Sequence, residues 1–204
     1  MVIKIGVLEL QGGFSLHHDI FHKIGIQSTA VRSNSDLNGI DGLVIPGGES
    51  TTISLLIDSN NMHDSLLEFG NSKPILGTCA GLILMAKNNN DDRVNQLGFL
   101  DIIIERNAYG RQIKSSEEMV EFNFGLDNKI ELPATFIRAP RIKYVNNKIR
   151  ILGEFEGDPI AILYQNYLGL TFHPELNGID IFHRILFDKN SKLFHKNLTK
   201  SNAA

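Results

Sequence analysis

The sequence predicts an α/β fold: a mixed, mostly parallel sheet with helices on both faces and antiparallel additions in the second half. Three observations lead there. Short apolar runs alternate with segments of helical spacing through the first half of the chain. From residue 102 onward, runs of strand character dominate and helical patterns are sparse. The chain has 204 residues, enough for one domain.

Ile3–Leu8 is an apolar strand interrupted only by Lys4 and Gly6. Phe14–Ile24 carries Leu16, Ile20, Phe21 and Ile24 at the spacing of one helix face. Gln27–Val31 is a second strand, and Gly42–Ile45 a third, stopped by Pro46. Thr51–Ile57 and Met62–Phe69 read as helices. Pro74–Gly77 is a fourth strand, followed at once by a helix over Ala80–Lys87, and Asn88–Asp92 is a surface loop. Strands are then expected at 102–105, 120–124, 134–137, 149–155, 160–164 and 168–172, all as additions to the main sheet. Gly178–Asp188, with Phe182, Ile185 and Leu186 on one face, is a closing helix. A single domain over residues 1–190 is expected. The polar tail, rich in Lys and Asn, is read as frayed or as an extension of that helix.

Composition narrows the function classes. The formal charge is −3 and the Lys and Arg residues are scattered, which argues against a nucleic-acid partner. No apolar run approaches the ~20 residues of a membrane span. The opening Met1–Ile5 reads as the start of a strand and lacks a signal-peptide layout, so the cytoplasm is the expected location. The one cysteine, Cys79, leaves no internal disulfide and no cysteine-based zinc site.

Gly77-Thr78-Cys79-Ala80-Gly81 lies between a strand and a helix. G-x-C-x-G is the cysteine counterpart of the nucleophile elbow, in which a sharp turn lifts the side chain clear of the sheet. The small neighbours permit the turn, the next helix points its positive end at the sulfur, and the Ala80 amide is placed to hold an oxyanion. A packed structural thiol is the bland alternative. His173 and Glu175 flank Pro174; on an extended segment they point the same way, so Glu175 can accept from the far ring nitrogen of a basic His173. Alone, this pair reads equally well as an edge-strand histidine beside a surface glutamate.

Pro46-Gly47-Gly48-Glu49-Ser50-Thr51-Thr52 follows a strand but has neither phosphate-loop spacing. Its glycines allow amides to face a substrate, Gly48 is the second candidate oxyanion donor, and Ser50 or Thr51 is expected to cap the next helix. Arg106 and Arg138 each follow a strand and could pair with a substrate carboxylate, although spacing alone reads them as solvated charges. His18 and His22, one helical turn apart, read as exposed helix histidines, and no metal is expected.

Taken together, these residues resemble the glutaminase subunits of pyridoxal 5′-phosphate synthase, a family of the triad (class I) glutamine amidotransferases. The likeness covers nearly the whole chain: residues 5–12, 41–52, 77–82, 105–107, 110–112, 136–140 and 172–176. The elbow and His-Pro-Glu belong to the wider class, whereas 46–52 and Ile137-Arg138-Ala139-Pro140 are particular to this family. The resemblance implies a flavodoxin-like three-layer fold and a triad of Cys79 as nucleophile, His173 as base and Glu175 as its orienter. It implies that Gly47, Gly48, Glu49, Ser50, Arg106, Ile137 and Arg138 bind L-glutamine. Gln11 and Gly12 match a segment near the oxyanion hole and the partner interface. No cofactor is implied. The implied partner is the synthase subunit, in a large hetero-oligomer. A glutaminase working alone would waste glutamine, so its oxyanion hole is expected to be incomplete until docking. Leu16 stands where relatives usually carry an acidic residue, and Lys114-Ser115-Ser116-Glu117 where they often read Asp-Ser-Phe-Glu. Three other readings remain: the glutaminase of another amidotransferase such as imidazole glycerol phosphate synthase, a cysteine hydrolase, or a non-catalytic subunit.

Overall fold

A computed structural model describes residues 3–106, 115–125 and 129–195. In chain order its strands and helices are β1 (Lys4–Leu8), α1 (Phe14–Lys23), β2 (Gln27–Val31), β3 (Gly42–Ile45), α2 (Ser50–Ser59), α3 (His63–Gly70), β4 (Ile75–Thr78), α4 (Ala80–Met85), β5 (Ala86–Asn88), β6 (Leu100–Glu105), β7 (Ser116–Phe122), β8 (Ile130–Phe136), β9 (Arg141–Val145), β10 (Arg150–Phe155), β11 (Asp158–Tyr164), β12 (Tyr167–Leu170) and α5 (Ile181–Phe187).

The large sheet has the order β2-β1-β3-β4-β12-β11-β10-β7-β8. Pairing is parallel from β2 through β12. It is antiparallel from β12 to β8. The parallel portion is therefore about half of this sheet and not most of it. The antiparallel half comes from tight hairpins: Glu156 and Gly157 join β10 to β11 with φ of 51° and 83°, and Gln165, φ 51°, helps turn β11 into β12. Such turns suit the twist of paired strands and need no crossover helix.

Side chains of successive strand residues go to opposite faces, and each face has its own core. Leu43, Ile45 and Ile75 pack with Ile53 and Ile57 of α2, Leu66 of α3 and Leu82 of α4. Val44 and Leu76 pack on the other side with Phe21 of α1 and Phe182, Ile185 and Leu186 of α5. A strand buried on both faces reads as an unbroken apolar run, which is why β1, β3 and β4 were legible.

Several expectations need correction. The strand near 102–105 forms, but in a separate sheet of order β5-β6-β9. Strand β9, Arg-Ile-Lys-Tyr-Val, was not anticipated: only Ile142 is buried, so its apolar signal is thin. The helix after Cys79 ends at Met85, because Ala86 turns to extended backbone (ψ 151°). The loop at 88–92 is not wholly on the surface, since Asn89 is buried. Helix α5 ends at Phe187, and the chain then bends back to bury Phe194 and His195 rather than continuing the helix. Met1, Val2, Lys114 and residues 196–204 lie outside the described residues.

The fully buried Phe182 meets Phe122, Phe124 and Phe172 ring to ring, at centroid distances of 5.2–5.8 Å. Phe182→Ala is expected to lower the unfolding free energy by about 3–5 kcal/mol, read by urea denaturation followed by circular dichroism.

Candidate active site

The parallel half of the sheet gathers the site. In such sheets ligands bind beyond the carboxyl ends of the strands. Here β1 ends before Gln11 and Gly12, β3 before Gly47 and Gly48, β4 before Cys79, and β12 before His173. Strands β4 and β12 are neighbours, with Thr78 opposite Leu170, so the cysteine and the histidine leave adjacent strands. The Cys79 amide donates to the Leu170 carbonyl at 2.8 Å and ties the two exits together.

Cys79 has φ 49° and ψ −101°, a conformation that non-glycine residues seldom adopt. That is the backbone of a nucleophile elbow. The glycines on either side make it possible. A Cβ on Gly81 would stand 2.0 Å from the Ile45 carbonyl oxygen, and one on Gly77 would meet the Gly81 backbone at 2.8 Å. Helix α4 can therefore start directly against β3. Cys79 is 6% exposed and lines the cleft. Its Sγ lies 3.9 Å from the Ile137 carbonyl oxygen.

His173 is anchored by its amide, which donates to the Thr135 carbonyl at 2.9 Å. Its Nδ1 hydrogen-bonds Glu175 Oε1 at 2.7 Å, leaving Nε2 for the sulfur. The predicted pairing is present, but its backbone is not the expected strand. Pro174–Asn177 is a 3₁₀ turn, and Glu175 reaches back from inside that turn. Proline suits the first position of such a turn because its absent N–H would be unpaired there anyway.

The glycine loop packs onto the imidazole. A Cβ on Gly47 would lie 2.2 Å from His173 Cε1. The Gly47 amide donates to Thr78 Oγ1 at 3.0 Å, and its carbonyl accepts from the Gly13 amide at 2.9 Å. The Glu49 amide donates to Gln11 Oε1 at 2.8 Å. The cap of α2 is Glu49, whose carboxylate accepts from the Thr52 amide, while Ser50, one of the two expected caps, is buried. Hydrogen bonds from Thr51, ahead of those from Thr52, hold that carboxyl below the usual range despite some desolvation.

These residues surround a cleft of about 440 Å³. Every predicted site residue but Ala80 lines it: Gly47, Gly48, Glu49, Ser50, Cys79, Arg106, Ile137, Arg138, His173 and Glu175. Ala80 sits beneath, buried, as the first residue of α4, where an α-helix leaves its amides unpaired.

A model of the SNO glutamine amidotransferase family matches residues 7–191. The chain belongs to that family. It is 42% identical over 189 residues to pyridoxal 5′-phosphate synthase subunit PdxT of Solibacter usitatus, covering 91% of this chain and 98% of the relative. It is 45% identical over 175 residues to the protein of the same name from Shouchella clausii, covering 85% and 88%. A crystal structure of a glutamine amidotransferase superposes with a TM-score of 0.79 at 31% identity, covering 98% of this chain and 99% of that one. A glutamine amidotransferase of Thermotoga maritima, 15% identical, shares the fold with a TM-score of 0.60, covering 100% and 87%.

In this SNO-family chain the charges of the site depend on one another. Burial alone would push the His173 imidazole down, but the Cys79 sulfur and the Glu175 carboxylate outweigh it and raise the ring to about 10. Burial would raise Glu175, yet its hydrogen bond from His173 and the nearness of His17 hold it below the usual carboxylate range. Arg106 is not a solvated charge: it pairs with Asp91 and lies 3.5 Å from Glu49 Oε1. Arg138 has φ 44°, a strained backbone that accompanies its place in the cleft. His18 is held by Ser28 and Glu9 rather than standing free, and among the described residues no group of three or more His, Cys, Asp or Glu is placed to hold a metal.

Sequence reasoning missed His17. Leu16, assigned there to the buried face of α1, lines the cleft, and His17 takes the core position. The signal was present, because 17, 20, 21 and 24 also have helical spacing.

Gly47→Ala is expected to displace the imidazole while the fold remains. A misplacement of about 1 Å can cost on the order of 10²-fold, so catalytic turnover should fall by that factor with the thermal unfolding midpoint little changed.

Proposed function

We propose that this chain hydrolyses L-glutamine to L-glutamate and ammonia at Cys79 and delivers the ammonia to a pyridoxal 5′-phosphate synthase subunit. The observation that carries this is the strained cysteine in one cleft with a histidine–glutamate pair, in a chain of the SNO glutamine amidotransferase family. The relatives' shared name favours this partner over imidazole glycerol phosphate synthase. We read the helices on both sheet faces as the flavodoxin-like three-layer arrangement, in a single domain over residues 1–190. A cytoplasmic location suits a reduced lone thiol.

The Cys79 sulfur, paired with the His173 imidazolium, attacks the side-chain amide carbon of glutamine. The amides of Gly48 and Ala80 hold the resulting oxyanion. The imidazolium gives its proton to the departing nitrogen, and ammonia leaves with a thioester on Cys79. Acylation ties up the Cys79 sulfur, which is the larger of the two influences raising the affinity of His173 for a proton. The ring is now a competent base, takes a proton from water, and the hydroxide releases glutamate. Glu175 fixes the tautomer throughout. Gly47, Gly48, Glu49, Ser50, Ile137 and the guanidinium groups of Arg106 and Arg138 bind the substrate, with the arginines suited to its α-carboxylate. The reaction needs no cofactor.

Ammonia set free in neutral water becomes ammonium, which is no nucleophile, so a shielded transfer to the partner is required. Coupling is supported by the loop geometry: the Gly13 amide and the Gln11 side chain hold the Gly47–Glu49 backbone, so a partner that moves residues 11–13 moves the peptide joining Gly47 to Gly48.

Glutamate release from glutamine should be slow for the chain alone, faster with the synthase subunit, and absent for Cys79→Ala in both; equal rates with and without partner would remove the coupling. The pH dependence has a defined sign. Ammonia release uses the His173 proton, present below about 10 and lost above it, so single-turnover ammonia release should decline as pH rises through about 10.

A further inference from the structure

Glu175 is buried, and a second imidazole converges on it. His17 of α1 places Nε2 at 3.8 Å from Glu175 Oε1, the oxygen that accepts from His173. On its other edge, His17 Nδ1 is hydrogen-bonded to His183 Nε2 of α5 at 2.9 Å. Both rings are fully buried. Phe21 packs edge-on against His183 and against Phe187. Among the described residues, His17 Nε2, Glu175 Oε2 and His183 Nδ1 have no hydrogen-bond partner.

One hydrogen bond between two neutral imidazoles allows two assignments. If His17 donates from Nδ1, its Nε2 presents a bare lone pair to a carboxylate, and the His183 Nδ1 proton is buried without an acceptor. If His183 donates from Nε2, His17 carries its proton on Nε2 and aims it at Glu175. The His183 Nδ1 lone pair then goes unpaired, and the His17 Nε2 proton, without a hydrogen bond, faces the Glu175 carboxylate across 3.8 Å as an oriented dipole. A lone pair facing an anion repels it and an N–H attracts it, so the second assignment prevails. Every donor in the row then points toward Glu175: His183 to His17, His17 to Glu175, and His173 to Glu175.

Burying two polar rings in an otherwise apolar core costs free energy that aliphatic side chains of similar volume would avoid. We propose that His17 is a positioning residue for the triad: through its Nε2–H it holds the Glu175 carboxylate as the acceptor for His173, and His183 holds His17 in the tautomer that does so. This deepens the glutaminase reading and rests on it only for the turnover measurement below.

The charged and titratable groups in the region are few. Glu175 faces His173 on its own segment and His17 on α1. His17 faces Glu175, His183, His173 and His18. Glu117 of β7 reaches Asn177 of the same turn. Burial pushes both His17 and His183 down to about 3, so they stay neutral at neutral pH. The pair is a fixed donor array and not a switch.

Cys79 is the only cysteine of the chain, so its alkylation by iodoacetamide reports the triad without reference to any substrate. The rate should be measured against pH for the native chain, His17→Leu, His17→Gln and His17→Asn, with circular dichroism to establish folding. Leu removes the donor, so the acid limb of the profile should move up by about one pH unit as Glu175 takes a proton more readily. In the complex with the synthase subunit, glutaminase kcat should fall about tenfold while KM changes less than about twofold. Gln puts an amide N–H where Nε2–H was and should restore most of both. Asn reaches only the Nδ1 position and should behave like Leu. A folded His17→Leu with the native limb and kcat overturns the proposal, as does a Gln variant no better than Leu. If Leu fails to fold, the Gln and Asn pair decides: Gln native-like with Asn shifted supports the assignment, and identical profiles overturn it. A limb shifted in His17→Leu, together with a native chain that never releases glutamate, would sink the glutaminase reading and leave this one standing.

Discussion

The structure depends on one tight contact, where the first turn of α4 meets the end of β3. Gly81 lies so close to the Ile45 carbonyl that no other side chain fits, and Gly77 must clear Gly81 in turn. With the helix pressed that near the strand, the chain between β4 and α4 has no room for an ordinary loop, and Cys79 takes the strain as a positive φ. Strain of this kind costs about 1–3 kcal/mol and survives only where the surroundings over-determine it. Here they do: β4 is held between β3 and β12, and the Cys79 amide is itself bonded to Leu170. The elbow is a consequence of sheet packing, and the exposure of the sulfur to the cleft is a consequence of the elbow.

Because the strained turn lies at the carboxyl edge of a parallel sheet, the other parts of the site arrive without long loops. The Gly47 loop leaves the strand on one side of β4 and His173 leaves the strand on the other. The imidazole is held with Gly47 against its Cε1 and Glu175 on its Nδ1. At the rim, residues 11–13 meet the glycine loop through a hydrogen bond donated by the Gly13 amide to Gly47, one accepted by Gln11 Oε1 from the Glu49 amide, and the close approach of Gly12 to Gly47.

What could be read from the sequence was what is local. The elbow is five consecutive residues between a strand and a helix, and the histidine–glutamate pair is two residues apart, so both were visible as motifs. Even there the backbone was misjudged: alternation along a strand and a 3₁₀ turn both bring 173 and 175 together, and the spacing does not distinguish them. The partnership of His17 with His183 spans 166 positions and depends on how α1 and α5 cross one sheet face, which no motif encodes. The rotation of α1 was hidden for a related reason. Leu16 and His17 are adjacent, the apolar one looks like the core residue, and only the cleft beside it makes the half-buried leucine and the buried histidine sensible. Strand β9 was lost because an edge strand with one buried residue carries almost no period.

The neutrality of His17 is as necessary as its position. A charged imidazole beside Glu175 would bind the carboxylate more strongly, but it would also set a positive charge near His173 and disfavour the proton that ring must carry. It would draw the carboxylate toward α1 and away from Nδ1 of the catalytic ring. A neutral N–H has neither defect: it stabilises the anion and leaves the imidazolium as the only cation in the row. Full burial between α1 and α5 enforces that state, since the desolvation that pushes His17 to about 3 removes the charged form at any pH where the enzyme would work. The same reasoning explains why the ring beyond it is another buried histidine and not a carboxylate or a lysine. His183 can donate to Nδ1 without bringing a net charge, and so passes a preferred orientation inward while leaving the electrostatics of the triad to Cys79, His173 and Glu175.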